Sequence, residues 1–179
     1  MRVAERLLRE YPFYLQPFFW MQRKKFGQLL NPAMLWARVP GLFLGVAFFN
    51  SVFSRKNSLL EAPLRSLVMV RVSQINHCKF CVDLNSYLLL KKAGSTNKLD
   101  ELFNWKESEA FDERERVALE YAEAMTYSDR KVSDELFSRL REGFDDDAIV
   151  ELTGLIAFQN LSSKFNSALD VPSQGFCKR

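Results

Sequence analysis

Two cysteines three positions apart, Cys78 and Cys81, follow directly on the chain's single histidine, His77. These are the residues of the sequence best suited to chemistry. On a helix, side chains at i and i+3 share a face and lie near enough for a disulfide with little backbone movement. Asn76 is a suitable N-cap for a helix over residues 77–92, which would put Cys78 at N2 and Cys81 near the end of the first turn. Free amides and the positive end of the helix dipole at that position favour the thiolate, the reactive form of cysteine. His77 lies four residues before Cys81, close enough on a helix to draw its proton or pair with its thiolate. The plainer alternative for His77 is a turn residue beside a cap.

Two other uses of the pair compete with redox chemistry. A closed zinc site needs two further ligands, and the chain offers only His77, adjacent to Cys78, and distant Cys177, so no metal is expected. The other is inert packing of two small side chains. Thiol redox is the reading that the spacing favours. Cys177, in a tail after Pro172, reads as a free thiol, with exchange with the pair as its alternative.

The elements that must position the pair are helical, because no segment alternates with period two between turn signals. A first block over residues 3–10 stops before Pro12, and the aromatic stretch 11–19 reads as an irregular arm. A block over 18–26 closes at Gly27, and Asn31-Pro32 opens another as N-cap and N1. Residues 39–53 form the longest apolar stretch, short of the ~20 residues a membrane-spanning helix needs, and read as a buried core helix. Pro63 starts a block carrying Leu64, Leu67, Val68, Val70, Val72 and Ile75. The cysteine helix is expected to close at Gly94, and Ser95 or Thr96 to cap a short helix with Leu99, Leu102 and Phe103. Asp112 to Glu115 resembles a capping box, Ser133 caps a short helix ending at Gly143, and Asp145 or Asp146 opens the last long one, stopped by Asp170 and Pro172.

The chain has 179 residues, room for one domain, and 47% of them are hydrophobic, sixteen of them Phe, so a sizeable core can form. We divide it into an N-terminal helix and aromatic arm (1–30) packed on the core or a neighbouring subunit, a helical domain (31–172) and a tail (173–179). Twenty-five basic and 22 acidic residues leave a formal charge of +3, too mild to point to nucleic acid. The run Arg23, Lys24, Lys25 reads as a solvated helix face. An odd cysteine count and a charged N-terminus without an apolar block argue against a secreted framework, so a cytoplasmic protein without a membrane span is expected.

The stretch Leu64-Arg65-Ser66-Leu67 through Asn76-His77-Cys78-Lys79-Phe80-Cys81 resembles the core motif of the alkylhydroperoxidase D and carboxymuconolactone decarboxylase superfamily. So do Asp112-Glu113-Arg114-Glu115-Arg116-Val117-Ala118-Leu119-Glu120-Tyr121-Ala122, Asp147-Ala148-Ile149-Val150-Glu151-Leu152-Thr153 and Lys164-Phe165-Asn166-Ser167-Ala168-Leu169. The resemblance spans roughly residues 31–172. It implies an all-α, alkylhydroperoxidase-D-like helical bundle assembled as a homo-trimer or homo-hexamer. In the peroxidase branch it also implies a CxxC that reduces a small hydroperoxide, recharged by an external dithiol such as reduced lipoamide or by a thioredoxin-like reductant, with no bound cofactor. Cys81 would then attack the peroxide and Cys78 resolve the sulfenic acid into a disulfide.

The sequence departs from that pattern at two positions. The family glutamate twelve residues before the first cysteine falls on Ser66, and the histidine four after the second falls on Asn85. Neither can take a proton at neutral pH. His77 could substitute as base, and Arg71 could support a thiolate if the fold brings it near. The leading reading is therefore a thiol-dependent peroxide reductase. The alternative is a relay-deficient binding or redox-sensing oligomer of the same family, and a decarboxylase-like lyase comes third.

Overall fold

The computed structural model describes residues 1–93 and 97–177, so the expected closure at Gly94 and cap at Ser95 or Thr96 lie outside the described residues. Among the described residues every regular element is helical. The chain forms two compact units, one of Met1–Lys56 with Leu169–Val171, the other of Asn57–Ala168 with the residues from Pro172.

In the first unit the block expected as a helix over residues 3–10 is only a 3-10 turn, Leu8–Glu10. So short a segment buries too little apolar surface to offset the cost of starting a helix. The aromatic arm is more regular than expected. A 3-10 turn, Phe13–Leu15, runs directly into α1 (Gln16–Phe26), whose first turn accommodates Pro17 and whose end is closed by Gly27 at φ 75°. Tyr11 anchors the arm by donating from its hydroxyl to the Met34 carbonyl at 2.8 Å, while its ring meets Phe19 edge-on. The helix opened by Asn31-Pro32 is α2 (Asn31–Trp36), with Leu30 in the capping position.

Residues 39–53 do form a helix, α3 (Pro40–Phe53), but not a buried one. Only Phe43 is buried, whereas Leu42, Leu44, Phe48 and Phe49 are exposed. The apolar residues run all round α3, and packing covers only the side of Phe43, which meets Phe18 and Phe19.

The second unit is organised about α4 (Ala62–Ile75), which packs against α5 (Lys79–Ala93), α7 (Glu113–Thr126) and α9 (Asp146–Ala168). Its run Leu67, Val68, Val70, Val72 is buried around the helix, which explains why it lacks a clear amphipathic period. Leu67 and Val70 share a cluster with Leu89 of α5, Leu119 of α7, Leu99 of α6 (Asn97–Glu101), Leu102 of the 3-10 turn Leu102–Asn104 behind it, and Trp105 just past that turn. No helix among the described residues is long and apolar enough to cross a membrane.

At the starts of α7, α8 and α9 the polar residues read from the sequence do the capping expected of them, whereas Asn31 lies inside α2 with Leu30 at its N-cap. Asp112 accepts from the Glu115 amide at 2.8 Å while the Glu115 carboxylate accepts from the Asp112 amide at 3.2 Å, a reciprocal capping box on α7. Ser133 caps α8 (Asp134–Gly143) through the Leu136 amide, and Asp145 caps α9 through the Ala148 amide. The chain turns after α9 at Asp170, which has φ 49°. Asp112→Ala should lower the stability of the protein by about 1 kcal/mol in urea denaturation, with Asp112→Asn restoring most of it.

Candidate functional site

The link between α4 and α5 sets the position of the cysteines. Asn76 does not cap α5 as expected; it closes α4, and α5 starts at Lys79. The reason lies in the backbone of His77, which adopts φ 52°. The His77 amide donates to the Gln74 carbonyl and the Cys78 amide donates to the Ser73 carbonyl, each at 3.0 Å. Those two bonds are a Schellman closure of α4 with His77 in the left-handed position usually held by glycine. The turn delivers Cys78, rather than Asn76, to the mouth of the next helix.

There the Cys81 amide donates to Cys78 Sγ at 3.1 Å, so the sulfur takes the place of a capping oxygen on a free first-turn N–H. Cys81 follows within the first turn. The two cysteines are joined as a disulfide with Cα atoms 5.2 Å apart, and both are buried, at 1% and 4% exposure. A second donor serves the other sulfur: Asn166 Nδ2, from α9, reaches Cys81 Sγ at 3.2 Å. Each sulfur therefore has one N–H directed at it, from different sources.

Beneath the pair lies a buried polar network built from three helices. Ser73 Oγ donates to the Met69 carbonyl and accepts from Asn85 Nδ2 at 3.2 Å and Gln159 Nε2 at 3.1 Å. Gln159 Nε2 also donates to Ser163 Oγ at 2.7 Å. Beside it, Asn76 Nδ2 donates to Asn160 Oδ1 at 2.8 Å, and Asn160 Nδ2 to Thr126 Oγ1 at 3.0 Å. All of these groups are amides or hydroxyls, which hold positions but do not exchange protons near neutral pH.

The residues singled out from the sequence separate in space. Asn85 joins the network through Ser73. Ser66 instead donates to the Ala62 carbonyl one turn back and accepts from Lys92 Nζ at 3.2 Å. His77 is exposed, and its ring makes no hydrogen bond to either cysteine. Arg71 serves a different centre: its Nε and Nη2 donate to Glu123 Oε1, and its Nη1 to Gln74 Oε1. Glu123, at 2% exposure, also accepts from Trp105 Nε1 at 2.9 Å and Arg130 Nη1 at 2.8 Å. Burial pushes its carboxyl up, but the bonds from Trp105, Arg71 and Arg130 outweigh that and hold it below the usual range.

Four residues that the sequence reading passed over matter here: Ser73, Gln159, Asn166 and Asp83. The signal for two of them was a face of α9. Leu152, Ile156, Gln159, Ser163 and Asn166 follow one another at helical spacing, and all are buried, so an apolar stripe turns polar where it meets the cysteines. Asp83, two residues after Cys81, fastens the C-terminal segment. Its carboxylate accepts from Ser173 Oγ at 2.8 Å and from the amides of Gln174 at 2.9 Å and Cys177 at 2.7 Å. The segment lays Phe176 against Phe80 and Tyr87, and Cys177, a free thiol, packs against the cluster of Leu67 and Leu89.

Burial works to raise the Asp83 carboxyl, and the bonds from Cys177, Ser173, Phe176 and Gln174 together leave it below its ordinary value of 3.8. A carboxyl lowered in the folded state contributes stability that is complete above that ordinary value and is lost as the pH falls through the folded one. The urea midpoint of Asp83→Asn should therefore lie below that of the wild type at pH 7, and the gap should narrow as the pH is taken below 4.

A family model described as the carboxymuconolactone decarboxylase family matches residues 46–124, which include the cysteine pair. YnjA of Escherichia coli is 43% identical over 171 residues, covering 96% of this chain and 94% of that protein. Among solved structures, a peroxidase-related protein from Ralstonia eutropha with an alkylhydroperoxidase AhpD core superposes with a TM-score of 0.88 at 22% identity, over 98% of this chain and 93% of its own. The debrominase Bmp8 superposes with a TM-score of 0.85 at 21% identity, over 97% and 92%. At those identities the two structures speak to the fold.

Proposed function

The chain belongs to the carboxymuconolactone decarboxylase family and has its alkylhydroperoxidase-D-like all-α fold, and from that premise we propose that it is a thiol-dependent hydroperoxide reductase cycling Cys78 and Cys81 between dithiol and disulfide. The observation that carries the reading is the disulfide itself at a helix mouth, with one N–H donor on each sulfur. In the reduced protein the same donors would favour the thiolate at either position.

The chemistry balances on the two thiols alone. The Cys81 thiolate attacks the terminal oxygen of ROOH, the O–O bond breaks, and the departing alkoxide takes the Cys78 thiol proton to leave as ROH. The Cys78 thiolate then attacks the Cys81 sulfenic acid, and hydroxide leaves as water after taking a proton from solvent. One hydroperoxide is reduced and one dithiol oxidised. An external dithiol, by exchange, restores the pair. Cys78 is suited to leave in that exchange, because the Cys81 amide and the helix mouth favour its thiolate.

Weighing against His77 as base are its exposure and its left-handed backbone, for which a turn role is sufficient. Arg71, committed to Glu123, is not a support for the thiolate. The exposed apolar residues of α3 favour assembly into the homo-oligomer that the family resemblance implies. A second reading, a redox-sensing oligomer, draws on the absence of any titratable group in the Asn85–Ser73–Gln159–Ser163 network. A sensor would form the disulfide once and turn over slowly.

Turnover of cumene hydroperoxide with dithiothreitol or dihydrolipoamide decides between them. We expect rates well above those of the free thiol. Cys81→Ser should abolish them. Cys78→Ser, which lacks both the proton donor and the resolving thiol, should react slowly with one equivalent of peroxide when dithiol is left out and leave a trappable sulfenic acid on Cys81. A disulfide that forms without catalytic turnover would favour the sensor. A halogenated pyrrole belongs in the same panel, because a cysteine-to-alanine variant of Bmp8 was solved with 2,3,4-tribromopyrrole.

His77→Gly should raise the urea midpoint by an amount equivalent to about 0.5–1 kcal/mol, since glycine adopts positive φ without penalty. It should also leave turnover largely intact. A loss of about a hundredfold, the contribution of a positioned general base, would reinstate His77 in that role.

A further inference from the structure

Asn166 has half of its amide in use. Nδ2 donates to Cys81 Sγ, and the residue is 1% exposed, yet Oδ1 has no hydrogen-bond partner. The orientation follows from chemistry: a disulfide sulfur has no proton to give, so the amide presents its N–H to it and the oxygen is left over. A buried amide oxygen without a donor is destabilising, and a leucine of similar shape would avoid that cost. Of the buried polar side-chain atoms without a partner among the described residues, this is the one whose residue touches the cysteine pair.

We propose that Asn166 Oδ1 is a substrate subsite that accepts the O–H of the hydroperoxide whose terminal oxygen Cys81 attacks. The inference rests on the peroxide-reductase reading and deepens it. One amide then fixes both reactants, its N–H on the nucleophilic sulfur and its carbonyl on the proton of the oxygen under attack. Asn166 transfers no proton itself; it orients the O–O bond, while the alkoxide takes the Cys78 thiol proton as above. Ligands that fit are small molecules with an O–H donor on the reacting atom, and dialkyl peroxides lack the necessary donor.

The test compares the wild type with Asn166→Leu. Thermal midpoint, steady-state kinetics with cumene hydroperoxide and the pH profile of Cys81 alkylation are measured for each. The Asn166 side-chain amide resonances of the reduced wild type are followed by NMR during titration with cumyl alcohol or with cumene. The variant should melt no lower than the wild type, because an unsatisfied polar atom has been removed. Its KM should rise about tenfold, the loss of roughly one hydrogen bond, and its alkylation profile should move to higher pH. Cumyl alcohol should move the Asn166 resonances and cumene should not.

A lower melting point with an unchanged KM would make Asn166 a packing residue and overturn the subsite. So would resonances that respond equally to both titrants, or to neither. Should the wild type reduce hydroperoxides no faster than free thiol, the peroxide reading falls, and the titration still decides the subsite by itself.

Discussion

The site depends on one backbone constraint, the reversal between α4 and α5 at His77. With His77 at φ 52°, the last carbonyls of α4 take the amides of His77 and Cys78, so α4 ends while its final turn is still satisfied. The chain then restarts at once as α5, and Cys78 is left at the junction with an amide of the new helix pointing at its sulfur. A continuous helix through residues 62–93 would instead bond every one of those amides internally and leave none for sulfur. The residue type at position 77 matters first through this geometry.

What surrounds the pair is arranged to hold rather than to titrate. Ser73 is the hinge of that arrangement: its carbonyl accepts from the Cys78 amide, and its hydroxyl collects Asn85 from α5 and Gln159 from α9. Neutral amides can be buried at modest cost provided that they are bonded to one another, whereas a buried carboxylate or imidazolium needs a compensating charge. The chain does bury a carboxylate elsewhere, at Glu123, and there it supplies Arg71, Arg130 and Trp105 as partners. The ionic centre and the sulfur centre both draw on α4 but use different residues of it, Arg71 for one and Ser73 for the other.

Much of this was legible in the sequence. The pairing of Cys78 with Cys81 followed from spacing, and the ends of α7, α8 and α9 followed from Asp112, Ser133 and Asp145, because capping is a local interaction between residues three apart. The departures have physical reasons. Asn76 and His77 suit a helix start because Asn is a good N-cap, yet Asn also suits a helix end, and the left-handed turn at His77, which the residue types do not announce, selects the end. The α3 stretch was read as core from its composition, but composition does not say what covers a helix that is apolar all round. Nothing local in the sequence decides what Arg71 pairs with, because its partner Glu123 lies 52 residues away.

The replacement of titratable groups by Ser66 and Asn85 gains its meaning from where those residues sit. Asn85 is bonded through Ser73 into the amide network, while Ser66, itself buried, accepts from Lys92 farther along α4 and α5. A relay through positions 66 and 85 would need both at one place, and here they are held by different partners. The position that does touch Cys81 is Asn166, on a helix the cysteine motif does not include. A neutral amide there neither gives nor takes a proton near neutral pH, so in the proposed reaction the proton for the leaving alkoxide would come from the second thiol. In that reaction the spacing of the two cysteines would do double duty, setting both the disulfide that closes the cycle and the proton donor to the departing alkoxide.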